Sequence, residues 1–460
     1  MLRPEFRPRT IPMSFRLKPD LTCALLGLAL AGLTALPLRP AAAQTRKLDR
    51  REDFVVFTGD QVPSLQGAEA KDLHLYACAA GTLRPVPFQV DKRDRDGRYV
   101  FPNEKSRAPN RDGSRLDPND EMAFMAKDAG EQCPPAAWPA GAARGVELEL
   151  TDPLDQSRAW VYLFDRPGAK PPETADYVKY RAENDQEYIL GEQYEIGQKR
   201  DATYYNWLRL RKPDGGFSPN VLNRTKVGLK ARLLNVGIPV NVPEKDMKAV
   251  TLGVIDGPVR VIRDELDLVK IKTLGLEWET EAFYTYYGNG HLSPMEANIP
   301  LNLHKIFLDI NFYWAYDLNE TLRGSTFRNQ ANPKGAVLDG RAYASLDTKS
   351  NAASFTVSGP QGAIVDALLF SPELAKLMRP TTLVREELAN PDSPEEHPGQ
   401  LVVGYWVKSQ GNMAKGVYHW QLYHYYPYPF SDRKAQEILN LAQHPLQLSS
   451  RPLAPPAPGH

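Results

Sequence analysis

The stretch "LVKIKTLGLEWETEAFYTYYGNGH", residues 268–291, decides the fold class that this sequence predicts. Leu274-Gly275 is a two-residue turn signal, because glycine adopts the positive φ of hairpin turns without a steric penalty. With that loop, the register pairs Lys272 with Glu277, Ile271 with Trp278 and Lys270 with Glu279. Opposite charges then face each other on one side and apolar residues on the other, which predicts antiparallel strands with one buried face.

Similar short runs rich in Val, Ile, Tyr, Phe and Thr recur along the chain, separated by prolines and by Asp-Gly or Gly-Gly turns. They cover residues 146–151, 159–164, 203–211, 249–255, 258–264 and 401–409. No alternation of helices with strands accompanies them. The pattern predicts a mostly β protein, an antiparallel β-sandwich with further hairpins at Asp256-Gly257 and Asp339-Gly340.

Two short helices are predicted within this β framework. Ser431 is a candidate N-cap for residues 431–444, whose apolar residues recur at helical spacing. A shorter helix is expected over residues 371–378.

The order of sequence features predicts four regions. Residues 1–43 combine a basic start, an uncharged apolar run and Ala41-Ala42-Ala43, the order of a secretory signal peptide, with a membrane anchor as the alternative. A small loop-rich β domain is expected at 44–168, and a Pro-rich linker then leads to a large antiparallel β-sandwich at 176–445. The Pro-rich tail 446–460 is predicted to be disordered.

Charge and hydropathy limit the function of the mature chain. Without residues 1–43, which hold six Lys/Arg and two Asp/Glu, the chain has 50 basic and 54 acidic side chains, a net charge of −4. Nucleic-acid binding is therefore not expected, because it needs a clustered basic excess. No second long apolar run follows, so the mature chain is predicted to be soluble, without a membrane span, in the periplasm or the medium.

Cysteine content agrees with an exported protein. Cys78 and Cys133 are the two cysteines after residue 43, and an even pair in an exported chain predicts one disulfide. Two buried free thiols are the alternative.

Half of the aromatic rings in 283–291 are expected to be core. Alternation places Trp278, Ala282, Tyr284 and Tyr286 on the Ile271 face of the hairpin. Phe283, Tyr287 and His291 remain as candidates to meet a ligand, with Asn289 in the Gly-Asn-Gly turn between them.

A second candidate surface lies on the strand that begins at residue 417. His419, Gln421 and Tyr423 share one strand face and combine rings with hydrogen-bonding ends, which suits sugars. The alternative is a sandwich edge whose tyrosines cover the core.

Metal sites have weak sequence support. Asp91, Asp94 and Asp96 lie in a segment that resembles a fragment of calcium-binding loops, although the regular spacing and the distal Glu are missing. Turns capped by Asp side chains, with local ion pairs to the interleaved Lys and Arg, are the alternative. None of the eight histidines forms a zinc motif, and no P-loop, dinucleotide fingerprint or G-x-S-x-G is present, so no cofactor other than calcium is expected.

Three runs in the first half carry a family resemblance: "RPVPFQVDKRDRDGRY" (84–99), "DPNDEMAFMAKDAG" (117–130) and "AWVYLFDRPG" (159–168). They resemble the opening of uncharacterised exported β-rich bacterial proteins. The resemblance implies a shared architecture and brings no activity with it.

Export and abundant Tyr and Trp favour glycan contact as the function. If the protein is an enzyme, the chemistry that the sequence best tolerates is a polysaccharide lyase, with Tyr287 and His291 as acid and base. Asn289 and Arg209 would neutralise a uronate carboxyl, although Arg209 more often pairs with a neighbouring carboxylate. The competing hypothesis is a non-catalytic component of the cell envelope that docks another protein.

Overall fold

The computed structural model describes residues 45–102, 113–134, 137–234, 236–271, 276–299, 302–339, 346–386 and 401–455. The predicted signal peptide and Gly340 of the predicted Asp339-Gly340 turn lie outside these ranges.

Short strands build the N-terminal part. They are β1 (Phe54–Thr58), β2 (Leu73–Ala79), β3 (Thr82–Pro85), β4 (Gln89–Asp91), β5 (Glu121–Met125), β6 (Arg144–Thr151) and β7 (Arg158–Asp165). The rest of the chain forms β8 (Val178–Glu183), β9 (Gln186–Gly191), β10 (Tyr194–Lys199), β11 (Tyr205–Leu210), β12 (Leu222–Leu233), β13 (Pro239–Pro243), β14 (Met247–Asp256), β15 (Arg260–Ile271), β16 (Leu276–Tyr287), β17 (Gly290–Ile299), β18 (Phe307–Leu318), β19 (Thr326–Asn329), β20 (Asn332–Val337), β21 (Ser354–Gly359), β22 (Gly362–Phe370), α1 (Pro372–Ala375), β23 (Met378–Glu386), β24 (Leu401–Ser409), β25 (Gly416–Tyr425), α2 (Asp432–Gln443) and β26 (Gln447–Leu453).

These strands form antiparallel sheets, which confirms the predicted fold class. A nine-stranded sheet has the order β14-β15-β16-β17-β25-β22-β21-β19-β20. A five-stranded sheet (β13-β12-β18-β24-β23) and a four-stranded sheet (β11-β10-β9-β8) contribute to the same buried cluster, which includes Tyr286, Val403 and Ile196. The large unit is therefore a sandwich whose core lies between the nine-stranded sheet and the two smaller ones.

The N-terminal unit has its own core. A three-stranded sheet (β1-β5-β4) and a five-stranded sheet (β26-β6-β7-β2-β3) enclose apolar side chains such as Phe124, Leu148 and Leu163. The predicted disulfide joins Cys78 to Cys133, with the two Cα atoms 5.4 Å apart.

The hairpin of the opening stretch forms with a register different from the prediction. Strands β15 and β16 pair as expected, but Lys270 lies opposite Glu277 and Val269 opposite Trp278. The predicted Lys270–Glu279 pairing is therefore wrong by two residues. Lys272 and the predicted turn Leu274-Gly275 lie outside the described residues. A register shift of two residues preserves the face that alternation assigns to each strand position, because the alternation has period two.

The face of this hairpin that carries Lys270 is exposed at that residue, but the expectation that Phe283 and Tyr287 on the same face are free to meet a ligand is wrong. The N-terminal unit packs on the outer face of the nine-stranded sheet: Tyr99 and Phe101 contact Phe283, and Phe54 stacks on Tyr287. Both faces of β16 near residue 286 are consequently buried, which explains why aromatic residues stand at consecutive positions there.

The predicted disordered tail is wrong for residues 447–453. They form β26, which pairs antiparallel with β6 from Gln447 opposite Thr151 to Leu453 opposite Gly145. The end of the chain thus completes a sheet of the N-terminal unit, so that unit is not continuous in sequence.

Both predicted helices are present. Ser431 caps α2 by accepting a hydrogen bond from the Lys434 amide at 3.1 Å, and Ala435 and Ile438 pack on the outer face of β22 and β25. The first helix, α1, is only four residues long, since β23 begins at Met378. Within the described ranges, no helix is long and apolar enough to cross a membrane.

Candidate functional site

Tyr287 and Asn289 lie in the contact between the two units and not on a ligand platform. The Tyr287 ring stacks on Phe54 with centroids 4.1 Å apart, and burial raises the pKa of its hydroxyl to about 12 despite the opposing charge of Arg260. The Asn289 amide donates to the backbone oxygen of Glu52 at 2.8 Å and to its carboxylate at 2.9 Å. Both side chains are almost fully buried.

His291 lies on the other face of the nine-stranded sheet, inside the sandwich. Its ring is stacked on His424 with centroids 4.2 Å apart and is surrounded by Tyr194, Tyr205 and Tyr286. Burial, together with His424 and Arg263, lowers the pKa of His291 well below its usual value. The imidazole is therefore neutral and enclosed.

The predicted acid and base do not meet. Tyr287 is opposite Gly290 in the β16–β17 pairing, whereas His291 is opposite Tyr286, so the two side chains point to opposite faces of the sheet. A single substrate cannot contact both, and the lyase roles predicted for them are not supported by this geometry.

Arg209 pairs with a neighbouring carboxylate, which is the alternative that the sequence analysis gave to a role in binding a uronate. Its guanidinium pairs with Glu195 at 2.8 Å and donates to the backbone oxygen of Ser218 at 2.8 Å. It lies on the four-stranded sheet, on the strand face opposite to that of the buried Leu208 and Leu210. Phe283, the remaining ring of the opening stretch, is half-buried against Tyr99 and Phe101.

The three aspartates predicted for calcium have other partners and do not converge. Asp91 is buried and pairs with Arg260 at 2.6 Å, while Asp94 accepts the amides of Asp96 and Arg98 in a turn. In the described part of the chain, no group of three or more His, Cys, Asp or Glu side chains is arranged to hold a metal ion. The capped-turn alternative accounts for Asp94 and Asp96.

Arg260 is the centre of a buried charge cluster between the two units. It also pairs with Glu121 at 2.7 Å, and Tyr99 donates to the same carboxylate at 2.6 Å. Burial alone would raise the pKa of Glu121, but the charges of Arg260 and Arg93 outweigh it and hold the value near 2. The cluster therefore joins the units by paired charges and shows no sign of a reacting group.

The predicted row His419, Gln421 and Tyr423 lies on the outer face of β25 and is half-buried. The Tyr423 hydroxyl donates to the Gln421 side chain at 2.9 Å, and His419 Nδ1 lies 3.5 Å from the Glu296 carboxylate on β17. Tyr423 also packs against the apolar side of α2. The row thus offers polar groups to solvent but no flat pair of rings.

A flat aromatic pair occurs instead on the outer face of the five-stranded sheet, at Tyr313 of β18 and Trp406 of β24. The two residues are directly opposite in the pairing, and their rings are parallel to within 7° with centroids 5.9 Å apart. Both are half-buried. Gly228, opposite Tyr313 on β12, lets the tyrosine ring lie on the sheet: a Cβ there would be 2.4 Å from the Tyr313 hydroxyl. We call Tyr313, Trp406 and Gly228 the aromatic platform.

Two cations flank the platform. Lys230 Nζ is 5.6 Å from the Tyr313 ring centroid and 5.7 Å from that of Trp406, and the Arg385 guanidinium carbon is 5.6 Å from the Trp406 centroid. At these distances each cation is attracted to the negative face of the rings. The surface therefore combines an apolar stacking face with two cationic side chains.

Sequence reasoning missed this platform because its residues come from three distant strands. The sequence did contain a sign of it: in 401–409, Val403, Tyr405 and Val407 alternate with Trp406 and Lys408, which places Trp406 on the solvent face. Nothing in the sequence alone places Tyr313 beside it.

Comparisons with known proteins do not identify a function for this chain. No protein-family model matches the chain, and no curated protein matches it. Among solved structures, the chain is similar to an alpha-mannosidase from Enterococcus faecalis V583, with a TM-score of 0.43 and 10% sequence identity. The match covers 89% of this chain and 45% of the mannosidase chain, so this chain spans less than half of that protein's length.

Proposed function

We propose that the protein binds glycans through the aromatic platform on the outer face of the five-stranded sheet. The observation that carries the proposal is the parallel pair Tyr313 and Trp406, laid over Gly228 and accessible in part to solvent. Sugar rings present apolar faces that stack on aromatic rings, with polar rims that need nearby hydrogen-bonding groups.

The flanking cations favour a glycan that carries carboxylates. A uronate stacked on the rings would bring its carboxylate within reach of Lys230 or Arg385, and arginine forms bidentate bonds with carboxylates. We therefore propose a uronate-containing polysaccharide as the ligand class. Binding without turnover is the simpler proposal, because Tyr287 and His291 are separated by the sheet.

The test compares two aromatic pairs of the same composition. Affinity for polygalacturonate is measured by calorimetry with the unaltered protein and with Trp406→Ala, and dextran serves as the neutral ligand. The control is Trp207→Ala: Trp207 and Tyr188 also meet across a glycine on an outer sheet face, but at 85° and therefore without a flat surface.

We expect Trp406→Ala to weaken polygalacturonate binding by about tenfold or more, in line with one stacking interaction, and Trp207→Ala to have little effect. Equal losses in both variants, or equal affinity of the unaltered protein for dextran and polygalacturonate, would contradict the proposal.

We also propose that the protein acts outside the cytoplasm, in the periplasm or the medium. The Cys78–Cys133 disulfide supports this, since such bonds persist in oxidising compartments. Expression with the full N-terminal sequence and N-terminal sequencing of the product tests it. A start close to residue 44 is expected, and retention of residues 1–43 on the cytoplasmic protein would exclude it.

A second candidate function is docking to another protein, and a group of exposed apolar side chains at the β12–β13 turn favours it. Leu234, Val236 and Ile238, at the β12–β13 turn, are 41%, 63% and 47% exposed, and Leu308 on the neighbouring strand is 50% exposed. Exposed apolar groups that cluster in this way often mark contact sites. Cross-linking in envelope extracts with Val236→Lys as the comparison would test it: a specific partner should be lost in the variant.

A further inference from the structure

We propose that the sandwich holds a second binding site, for an unbranched alkyl chain, in a cavity between the five-stranded and nine-stranded sheets. The cavity has a volume of about 80 Å³ and its lining presents almost only carbon and sulfur atoms. Two residues of the aromatic platform, Gly228 and Tyr313, also line the cavity, while Trp406 does not. The proposal of an alkyl-chain site does not rest on the proposed glycan function.

The rings around the cavity show that this part of the core is not closed. Phe312, Phe370 and Trp420 belong to the inner faces of their strands and pack against the core, yet all three are only half-buried. Sandwich interiors are normally packed without voids larger than a water molecule. The incomplete cover of these rings therefore marks an opening from solvent into the apolar space.

Polar side chains close the end of the cavity that lies opposite Phe312, Phe370 and Trp420. On three strands the next inward-facing residue beyond the lining is polar: His424 after Leu422, Asp366 before Leu368, and Tyr316 after Trp314. The Trp314 ring packs on His424 with centroids 4.7 Å apart. An occupant consequently enters past the half-buried rings and ends at Trp314.

The chemistry of the lining selects an apolar occupant. No charged side chain contributes to the lining, and its few polar side-chain groups belong to tyrosine and tryptophan. A water molecule inside needs two to four polar partners, so the lining favours an apolar occupant. Met295, Met378 and Met413 form part of the wall, and flexible thioether side chains adapt to the shape of an apolar ligand. The space is a slot between two sheets that pack about 10 Å apart, which suits a narrow chain better than a fused ring system.

A homologous series of 1-alkanols from four to ten carbons is the direct test, with binding to the full chain followed by calorimetry and by tryptophan fluorescence. Each added methylene should raise affinity about fourfold until the slot is full, and further carbons should add nothing. Because Trp314 and Trp420 line the cavity, emission should change on binding.

Matched ligands and variants make the result decisive. 1,8-Octanediol should bind on the order of tenfold more weakly than 1-octanol, because its second hydroxyl would lose its hydration in a lining with few polar groups. Met295→Trp fills the slot and should remove octanol binding, whereas Met247→Trp, at a half-buried methionine in a different apolar cluster, should leave it unchanged. Leu368→Ala enlarges the slot and should move the plateau to a longer alkanol.

Three results would overturn the proposal: equal binding of the diol and the alkanol, octanol affinity unaffected by both Met295→Trp and Leu368→Ala, or benzene binding more tightly than 1-hexanol. The first two results would exclude the cavity as the binding site for octanol. The third would show that the cavity prefers an aromatic ring to an alkyl chain.

Discussion

His291 of β17 stacks directly on His424 of β25, with ring centroids 4.2 Å apart and both rings excluded from solvent. The two differ in their partners. His424 Nδ1 lies 3.1 Å from both oxygens of the Asp366 carboxylate and from the Tyr316 hydroxyl. In the part of the chain that the structure describes, neither nitrogen of His291 has a hydrogen-bond partner.

The burial of His291 makes stability depend on pH. The pKa of His291 is lowered in the folded protein, so the ring is neutral there and takes up a proton only on unfolding. Stability from this group is therefore present above the unfolded pKa of about 6.5 and is lost as pH falls below it. Between pH 7 and pH 5 we expect the free energy of unfolding to drop by about 2 kcal/mol because of His291.

The comparison variant for this prediction is His291→Phe, measured by urea denaturation at both pH values. Asp53 and Glu244, whose burial raises their pKa to about 7, oppose the trend in both proteins, so the difference between the proteins isolates the histidine. The variant should lack the 2 kcal/mol drop. A parallel pH dependence in the two proteins would show that His291 is not the titrating group.

The fold class and much of the strand pattern could be predicted from the sequence, and the reason is physical. Antiparallel strands with one solvated face alternate visibly, and Val269 and Lys270 fall on the sides that alternation assigns to them. Strand alternation did not predict the burial of Phe283 and Tyr287, because the N-terminal unit covers that face of the sheet. A contact with a distant part of the chain leaves no pattern in the local sequence.

The candidate site was harder to predict than the fold. Tyr313 and Trp406 are 93 positions apart and meet only through the pairing of β18 with β24. Strand alternation gives the face of each ring but not the register between distant strands, which depends on tertiary packing. The strand at 447–453 was missed because the prolines between 452 and 458 indicate disorder. An edge strand nevertheless tolerates Pro452, since the side of an edge strand that faces solvent needs no N–H donor.

The buried charge cluster at Arg260 is expected to be the most sensitive polar contact between the two units. Arg260→Met would leave the carboxylates of Asp91 and Glu121 buried without their main partner, which typically costs about 3–5 kcal/mol. The matched control is Arg232→Met: Arg232 pairs with Asp309 at 2.7 Å, but the two side chains are 57% and 39% exposed. That change should cost less than about 1 kcal/mol, and similar losses by urea denaturation in both variants would refute the assignment.

The C-terminal strand is expected to protect the N-terminal unit. Ending the chain at residue 445 removes β26, exposes the edge of β6 and withdraws Leu448 from the apolar cluster beneath it. An uncovered edge strand is a template for pairing between molecules. We expect faster hydrogen exchange at residues 146–151 and self-association in light scattering, whereas a chain ending at residue 455 should behave as the full chain does. Unchanged exchange in the shorter chain would mean that β26 is dispensable.

Gly228 is expected to control ligand affinity without touching the ligand. A methyl group at this position would collide with the Tyr313 ring, whose hydroxyl and Cζ would lie 2.4 Å and 2.5 Å from the new Cβ, so the ring must tilt away from the sheet. Gly228→Ala should therefore weaken polygalacturonate binding severalfold while Trp406 stays in place. Gly197→Ala is the matched control, because its Cβ would meet the Tyr188 ring at 2.7 Å in the edge-on pair. Calorimetry on both variants, with circular dichroism to confirm folding, checks the prediction, and full affinity in Gly228→Ala would show that the flat setting of Tyr313 is irrelevant to binding.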